Sequence, residues 1–213
     1  MMNKGIEAII FDLGGVILNI DYQRTANAFK ELGLTNFDEL YTQLQQNDLF
    51  DAYETGQITT ADFINAMQHI SPIALSSEAI VAAWNAMLLD LPAHRLETIQ
   101  LLRAPYKVFL YSNTNALHEL AFNETVFECM QTATLAPFFD KVYLSHTIGF
   151  RKPNKEGFEL ILKENNLNPA TTLFIDDSPQ HIAGASSLGI QTYFLEKGQT
   201  LETHIFPQFL ANA

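Results

Sequence analysis

Polar side chains able to do chemistry follow short apolar runs at three points of this 213-residue sequence. Such runs are typical of strands that are buried on both faces of a parallel sheet. The carboxyl ends of parallel strands meet at one edge of the sheet, which is where open α/β sheets bind ligands. We therefore expect these side chains to converge, although they are far apart in the sequence. They are Asp12 after Ala8–Phe11, Ser112 after Lys107–Tyr111, and Asp176 with Asp177 after Thr172–Ile175.

Three carboxylates in one place repel one another unless a cation lies among them. The all-oxygen set of Asp12, Asp176 and Asp177 favours a hard ion, and Mg²⁺ is the usual one beside phosphate groups. Ser112, the backbone N–H groups after it and Lys152 would donate hydrogen bonds to phosphate oxygens. Asp12 would then be the nucleophile and form an aspartyl-phosphate that water later hydrolyses. Taken alone, the stretch around Asp12 is equally consistent with a residue that only caps the next element.

The order of these residues resembles that of the haloacid dehalogenase superfamily of phosphatases and related hydrolases. The four motifs of that superfamily are an Asp after the first strand, a Ser or Thr after the second, a Lys, and an acidic pair after a later strand. They match IIFDLGGV at Asp12, VFLYSNT at Ser112, GFRKPN at Lys152 and LFIDDSPQ at Asp176 and Asp177. Each motif is weak alone, but four in this order make a chance match unlikely.

The resemblance implies a function and a set of site residues. The stretches FDLGGVILNIDY, YSNTNALHE and GFRKP are most similar to bacterial α-D-glucose-1-phosphate phosphatases and to the phosphatase domain of soluble epoxide hydrolases. We therefore expect a Mg²⁺-dependent phosphatase that acts on a small phosphorylated metabolite such as a sugar phosphate. The expected catalytic residues are Asp12, Lys152 and Ser112, and the expected substrate-binding residues are Ser112, Asn113 and Lys152. The expected metal ligands are Asp12, the carbonyl group of Gly14, Asp177 and Asp176.

The sequence departs from the family pattern at two positions. Gly14 stands where most of these phosphatases have a second Asp, which serves as general acid and is worth about 10²–10⁴-fold in rate. Two alternatives therefore stay open: a metal-independent haloacid dehalogenase, against which Asp176 and Asp177 speak, and a catalytically weak binding protein. His181 stands where the family more often has Asp or Asn. It either orients the lysine or the metal site, or it is a surface histidine on a helix.

The elements that must position these residues indicate an α/β fold with a doubly wound parallel sheet, similar to the Rossmann-like core of the superfamily. Residues 21 to about 87 have the apolar period of helices, with N-caps expected at Thr35, at Thr59 and at Ser76 or Ser77. We expect residues 18–88 to form an inserted helical cap of about four helices, and residues 1–17 with 89–213 to form the catalytic core. A short helix, Ala116–Phe122, is expected after the second strand, with His118 as a packing residue rather than a catalytic one. The stretch ETGQ, which begins at Glu54, is the only obvious break in the expected cap, so a loop there could reach toward the site.

Composition limits the partners. The formal net charge is −12 and the pI is about 4.8, which argues against nucleic-acid and anionic-membrane partners. Cys129 is the only cysteine, and no apolar stretch approaches the length of a membrane helix. We expect a cytoplasmic protein whose partner is a small phosphorylated molecule. The sequence leaves the oligomeric state open.

Overall fold

The structure is a computed structural model that describes residues 5–35, 37–40, 48–71 and 73–210. At its centre is a five-stranded sheet in the order β3-β2-β1-β4-β5, in which every neighbouring pair is parallel. The strands are β1 Ala8–Phe11, β2 Lys107–Ser112, β3 Lys141–Leu144, β4 Thr172–Asp176 and β5 Gln191–Phe194. The predicted doubly wound parallel sheet is confirmed. The strand that ends at Asp12 is its middle strand.

Both faces of the sheet are covered, because side chains alternate across each strand. Ile9 and Phe11 of β1 pack into one apolar cluster, while Ala8 and Ile10 pack into another. The first expected strand is therefore buried along its whole length, which explains why its sequence is continuously apolar rather than alternating.

Five helices of the described chain lie between β1 and the next core helix. They are α1 Tyr22–Glu31, α2 Phe37–Leu40, α3 Asp48–Glu54, α4 Thr60–Ile70 and α5 Ser77–Asn85. Their aromatic side chains form a separate apolar cluster, in which Phe50 stacks on Trp84 at 5.2 Å between ring centroids. Thr59 and Ser76 cap α4 and α5, as the sequence predicts. The division into cap and core at residues 18 and 88 stays a prediction.

The remaining helices flank the sheet. They are α6 Ala93–Leu102, α7 Ala116–Met130, α8 Ser145–Ile148, α9 Lys155–Glu164, α10 Pro179–Ser186 and α11 Phe206–Leu210. The prediction that α7 ends at Phe122 is wrong, since it runs eight residues further, to Met130. Leu120 and Phe127 are exposed on this helix, so its apolar residues do not mark one buried face. None of the helices in the described ranges has the length and apolar character of a membrane span.

The chain enters the helical segment near Asn19 and leaves it near Asp90, and hydrogen bonds join these two stretches at Asn19. Its backbone N–H donates to the Asp90 carbonyl at 3.0 Å, and its carbonyl accepts from the Leu89 N–H at 3.0 Å. Arg95, buried at the start of α6, donates from Nη1 to Asn19 Oδ1 at 3.0 Å and from Nε to Glu202 Oε1 at 2.7 Å. The C-terminal part of the chain therefore supports the point where the helical segment begins and ends.

Candidate active site

Asp12 is the first residue after β1 and is almost completely buried. Its N–H donates to the Ile175 carbonyl of β4 at 2.9 Å, so its backbone still follows the sheet. Its carboxylate oxygen Oδ1 accepts from the Leu13 N–H at 2.7 Å and lies 2.7 Å from Lys152 Nζ. The strand and the lysine together fix the direction of this carboxylate.

Lys152 is completely buried between two carboxylates. Its Nζ lies 2.7 Å from Asp12 Oδ1 and 2.7 Å from Asp176 Oδ2. Burial alone would lower the pKa of Lys152, but the two carboxylates outweigh burial and raise this pKa. The side chain is therefore a fixed positive charge at the ends of β1 and β4.

Asn113 holds the backbone of Lys152 in place. Its Oδ1 accepts from the Lys152 N–H at 2.8 Å, and its Nδ2 donates to the Lys152 carbonyl at 2.9 Å. Asn113 also lines the cavity described below. Ser112 is buried, and its Oγ donates to the Asn113 carbonyl at 3.4 Å; it is not part of the cavity wall formed by the described residues. The substrate-binding roles of Ser112 and Asn113 stay predictions.

Asp176 is saturated by protein donors. Its Oδ1 accepts from the Ser178 N–H at 2.7 Å, and both of its oxygens lie 3.0 Å from His181 Nδ1. Burial alone would raise the pKa of Asp176, but Lys152 and His181 outweigh it and hold this pKa at about 2. His181 is thus turned toward the site rather than being a surface histidine.

Asp177 faces the cavity and lies against the turn after β1. A Cβ atom on Gly15 would lie 2.1 Å from Asp177 Oδ2, and Gly15 has φ +76°, so this close approach requires glycine. Burial first and the charge of Asp176 second raise the pKa of Asp177 to about 6. Burial, with Asp176 and Asp177 adding to it, also raises the pKa of Asp12 despite Lys152. One lysine does not balance three acids, which is the charge pattern of a cation site.

A cavity opens at the ends of β1 and β4. Its walls come from the sheet, from the loop before α9 and from the helical segment. The lining residues are Asp12, Gly14, Tyr22, Glu54, Met87, Asn113, His118, Arg151, Asp177 and His181. The structure therefore brings together Asp12, Gly14, Asn113 and Asp177 around one space, with Lys152 and Asp176 directly behind it.

The sequence predicted no role for Tyr22, although it is the last residue of the family-like stretch FDLGGVILNIDY, and none for Met87, which belongs to no motif. Glu54 belongs to the ETGQ break between α3 and α4, the one place where a loop of that segment was expected to reach the site. His118, judged from the sequence to be a packing residue, stacks on Trp84 at 5.2 Å between ring centroids, and its Nε2 lies 3.1 Å from the Trp84 carbonyl.

A parallel sheet whose middle strand ends in a lysine-paired aspartate, with an acidic pair at the end of the adjacent strand, defines a hydrolase of the haloacid dehalogenase type. The family model described as haloacid dehalogenase-like hydrolase matches residues 6–189, and the chain belongs to that family. The resemblance drawn from the four motifs is confirmed.

Individual relatives are similar over nearly the whole chain. A D-ribitol-5-phosphate phosphatase of Bacteroides thetaiotaomicron is 32% identical, over 91% of this chain and 93% of that protein. A sesquiterpene phosphatase of Aspergillus oryzae is 26% identical, over 86% of this chain and 87% of that protein. A crystal structure of a haloacid dehalogenase family enzyme from Bacteroides thetaiotaomicron, the wild-type protein in complex with magnesium and inorganic phosphate, has a TM-score of 0.82 at 34% identity and covers 91% of this chain and 96% of that one.

Proposed function

We propose that this protein is a Mg²⁺-dependent phosphatase that removes the phosphate group from a small phosphorylated metabolite, a sugar or sugar-alcohol phosphate. The observation that carries the proposal is Asp12 at the base of the cavity, oriented by Lys152 at 2.7 Å and facing a space that Asp177 also lines. The two similar proteins with phosphatase names support the reaction class.

The donor set fits a magnesium ion. Ligand atoms of Asp12, Asp176 and His181 lie within 4.8 Å of one another, but Asp176 is already engaged by Lys152, Ser178 and His181. Asp12, Gly14 and Asp177 line the cavity, and we assign the ion to the two carboxylates and the Gly14 carbonyl, which are hard oxygen donors. When bound, Mg²⁺ supplies charge neutralisation for the crowded carboxylates and for the phosphate oxygens. The magnesium complexes of the similar enzyme support the choice of Mg²⁺ as the ion.

The chain's own residues then perform two displacements at phosphorus. A carboxylate oxygen of Asp12 attacks the phosphorus atom, and the bond from phosphorus to the leaving oxygen breaks with its electron pair on that oxygen. The leaving oxygen takes a proton from water, so that an aspartyl-phosphate and an alcohol result. Water then attacks the same phosphorus atom and the bond from phosphorus to the Asp12 oxygen breaks, which releases inorganic phosphate and regenerates the Asp12 carboxylate. Lys152, which the contact with Asp176 holds in place, orients Asp12 and lowers the energy of the negative charge on the transferring group. No side chain at Gly14 protonates the leaving oxygen, so leaving groups that need little protonation are favoured.

The test is release of inorganic phosphate from a panel of sugar and sugar-alcohol monophosphates by the purified protein. We expect activity with Mg²⁺ and its loss with EDTA. The metal-independent dehalogenase alternative predicts halide release from 2-haloacids that EDTA leaves intact. Absence of phosphate release from the whole panel with Mg²⁺, together with no fluoroberyllate adduct at Asp12, would contradict the proposal and favour a binding protein.

A further inference from the structure

The cavity has a second wall that the proposed reaction does not use. Tyr22 comes from α1, Glu54 from the end of α3, Met87 follows α5, and Arg151 comes from the loop before Lys152. We call these four residues the helical wall. Because they line the same space as Asp12, they contact whatever part of the substrate extends away from the phosphate group.

The charged part of the helical wall is one acid, Glu54, and one base, Arg151. Arg151 Nη2 lies 3.2 Å from Glu54 Oε2, and Nη1 of the same side chain pairs with Asp51 of α3. The Glu54 side chain is 8% exposed and that of Arg151 16% exposed, whereas Asp51 is half exposed and is not a lining residue. Arg151 Nε is buried and makes no hydrogen bond within the described chain.

This pair offers both kinds of hydrogen-bonding group at a fixed place. Arg151 has a donor at Nε, and the Glu54 carboxylate is an acceptor group with about four acceptor positions. Arg151 is adjacent in sequence to Lys152, whose backbone Asn113 holds and whose Nζ is 2.7 Å from Asp12. The distance from the reacting phosphorus to this pair is therefore set by a rigid part of the site.

The chemistry of the pair selects among leaving groups. A hydroxyl group both donates and accepts, so adjacent hydroxyls satisfy Glu54 and Arg151 together, while Tyr22 and Met87 offer apolar surface to the C–H groups. An alkyl or isoprenoid chain would displace water from both charged groups and return no hydrogen bond, which is strongly unfavourable. A second anionic group on the substrate would lie near the carboxylates of Glu54, Asp12 and Asp177, which would repel it.

We propose that Glu54 and Arg151 are specificity-determining residues that bind hydroxyl groups of the leaving alcohol. The substrate class is a polyhydroxylated monophosphate without a second anionic group. This inference rests on the proposed phosphatase function and adds to it the class of alcohol and the residues that recognise it.

Three phosphates with the same five-carbon chain test the substrate class on the wild-type protein. They are a pentitol 5-phosphate, the pentonate 5-phosphate that carries a terminal carboxylate, and n-pentyl phosphate. We expect kcat/KM to be about 10²-fold higher for the pentitol phosphate than for the pentyl phosphate, and higher than for the pentonate phosphate. Equal values for the pentitol and pentyl phosphates would overturn the inference and leave the phosphatase function intact. No release of phosphate from any of a wide panel would defeat the phosphatase function itself.

Two variants and a matched control test the residues. We expect Glu54→Gln to lower the ratio of kcat/KM for pentitol phosphate over pentyl phosphate about tenfold. The same variant should raise the ratio of kcat/KM for pentonate phosphate over pentitol phosphate, because it removes a negative charge from the cavity. Arg151→Lys keeps the charge but loses the Nε donor, so it should also lower the first ratio. Asp51→Asn removes the same charge from the same helix, next to the same arginine, but outside the cavity, and we expect it to change neither ratio. An equal shift in Asp51→Asn would overturn the assignment to Glu54, and the wild-type panel decides the substrate class even if a variant does not fold.

Discussion

One buried lysine separates the roles of the acids around it. Lys152 touches Asp12 and Asp176 at the same distance, 2.7 Å, yet only Asp12 faces the cavity. Asp176 thus keeps the lysine charged and in place, while Asp12 keeps a carboxylate oxygen for chemistry. Asp177 has no such lysine contact and remains available to a cation. These different surroundings lead to different expected results for substitutions at the three positions.

We expect Asp12→Asn to lower kcat by about 10³-fold or more, because an amide is no nucleophile. The variant should remain folded, since asparagine has the same shape and Lys152 keeps its contact with Asp176. The measurement is phosphate release by the pure, Mg²⁺-loaded variant, with circular dichroism as the check on folding. Activity close to that of the wild type in a folded sample would eliminate Asp12 as the nucleophile.

Asp177→Ala and Asp176→Ala should have opposite rankings in two measurements. Calorimetric titration should show the larger loss of Mg²⁺ affinity for Asp177→Ala, because Asp177 lines the cavity while the oxygens of Asp176 are occupied. Denaturant unfolding without metal should show the larger loss of stability for Asp176→Ala, about 3–5 kcal/mol, since a buried charge loses a partner. Reversal of both rankings would mean that the two acids have exchanged roles.

At the scale of elements, the turn after β1 contains Gly14 and Gly15, and the site has no general acid at position 14. A Cβ atom on Gly14 would lie 3.0 Å from Cδ1 of Ile20, the end of a flexible side chain. Gly14, unlike Gly15, does not have a positive φ. An aspartate at position 14 is therefore accommodated by a small shift of Ile20, whereas a side chain at position 15 would collide with Asp177.

We expect Gly14→Asp to raise kcat/KM for phosphates of primary alcohols, because their alkoxides most need a proton. The value of kcat/KM for aryl phosphates should change little, because phenolates leave without one. The gain is bounded by the roughly 10²–10⁴-fold worth of a placed general acid. A plot of log kcat/KM against leaving-group pKa should be flatter for the variant than for the wild type. Gly14→Asn is the matched control, with nearly the same volume and no acid. Equal slopes in all three proteins would show that another group already protonates the leaving oxygen.

The strands were predictable from the sequence because β1, β2, β3 and β4 are short, apolar and followed by polar residues. The extent of α7 was not, because Leu120 is 66% exposed and Phe127 is 55% exposed, so the helix lacks the apolar stripe that marks its length. Helix α8, Ser145–Ile148, was not predicted either, since four residues are too few to show a period.

The motif residues of the site were predictable because each follows a strand of a parallel sheet. The helical wall was only partly predictable. The break that begins at Glu54 pointed to that residue, and Tyr22 ends the family-like stretch FDLGGVILNIDY, although the stretch itself predicts no contact with the substrate. Met87 reaches the cavity through the packing of the chain after α5, which no local pattern encodes. The sequence did not decide whether His181 contacts Asp176, because a single histidine near the start of a helix can face either the site or the solvent.

At the scale of the whole molecule, His118 joins the sheet part to the helical segment. It belongs to α7, and it stacks on Trp84 of α5 in a buried position beside the cavity. Burial lowers the pKa of His118 to about 4 from its usual value of 6.5. Between these two values the unfolded chain binds a proton that the folded protein does not bind. The stability that depends on neutral His118 is therefore complete above pH 6.5 and is lost as the pH falls toward 4.

We expect the free energy of unfolding to fall by about 2–3 kcal/mol more between pH 7.5 and pH 4.5 in the wild type than in His118→Gln. Urea titrations of both proteins at the two pH values measure this difference. The variant should be less stable at pH 7.5, since it loses the stacking on Trp84, but its stability should depend less on pH. Parallel pH profiles would place the titration elsewhere in the protein.

The order of the strands also determines when the site comes into existence during synthesis. β1 is made first, yet its neighbours in the sheet, β2 and β4, begin at Lys107 and Thr172. A nascent chain that ends before Thr172 contains Asp12 but lacks Asp176 and β4, one of the two neighbours of the middle strand. Arg95 gains its ion-pair partner Glu202 later still, near the end of the chain. The ribosome must therefore release nearly the entire chain before Asp12 has its surroundings, and until then its apolar strand needs protection from other partners.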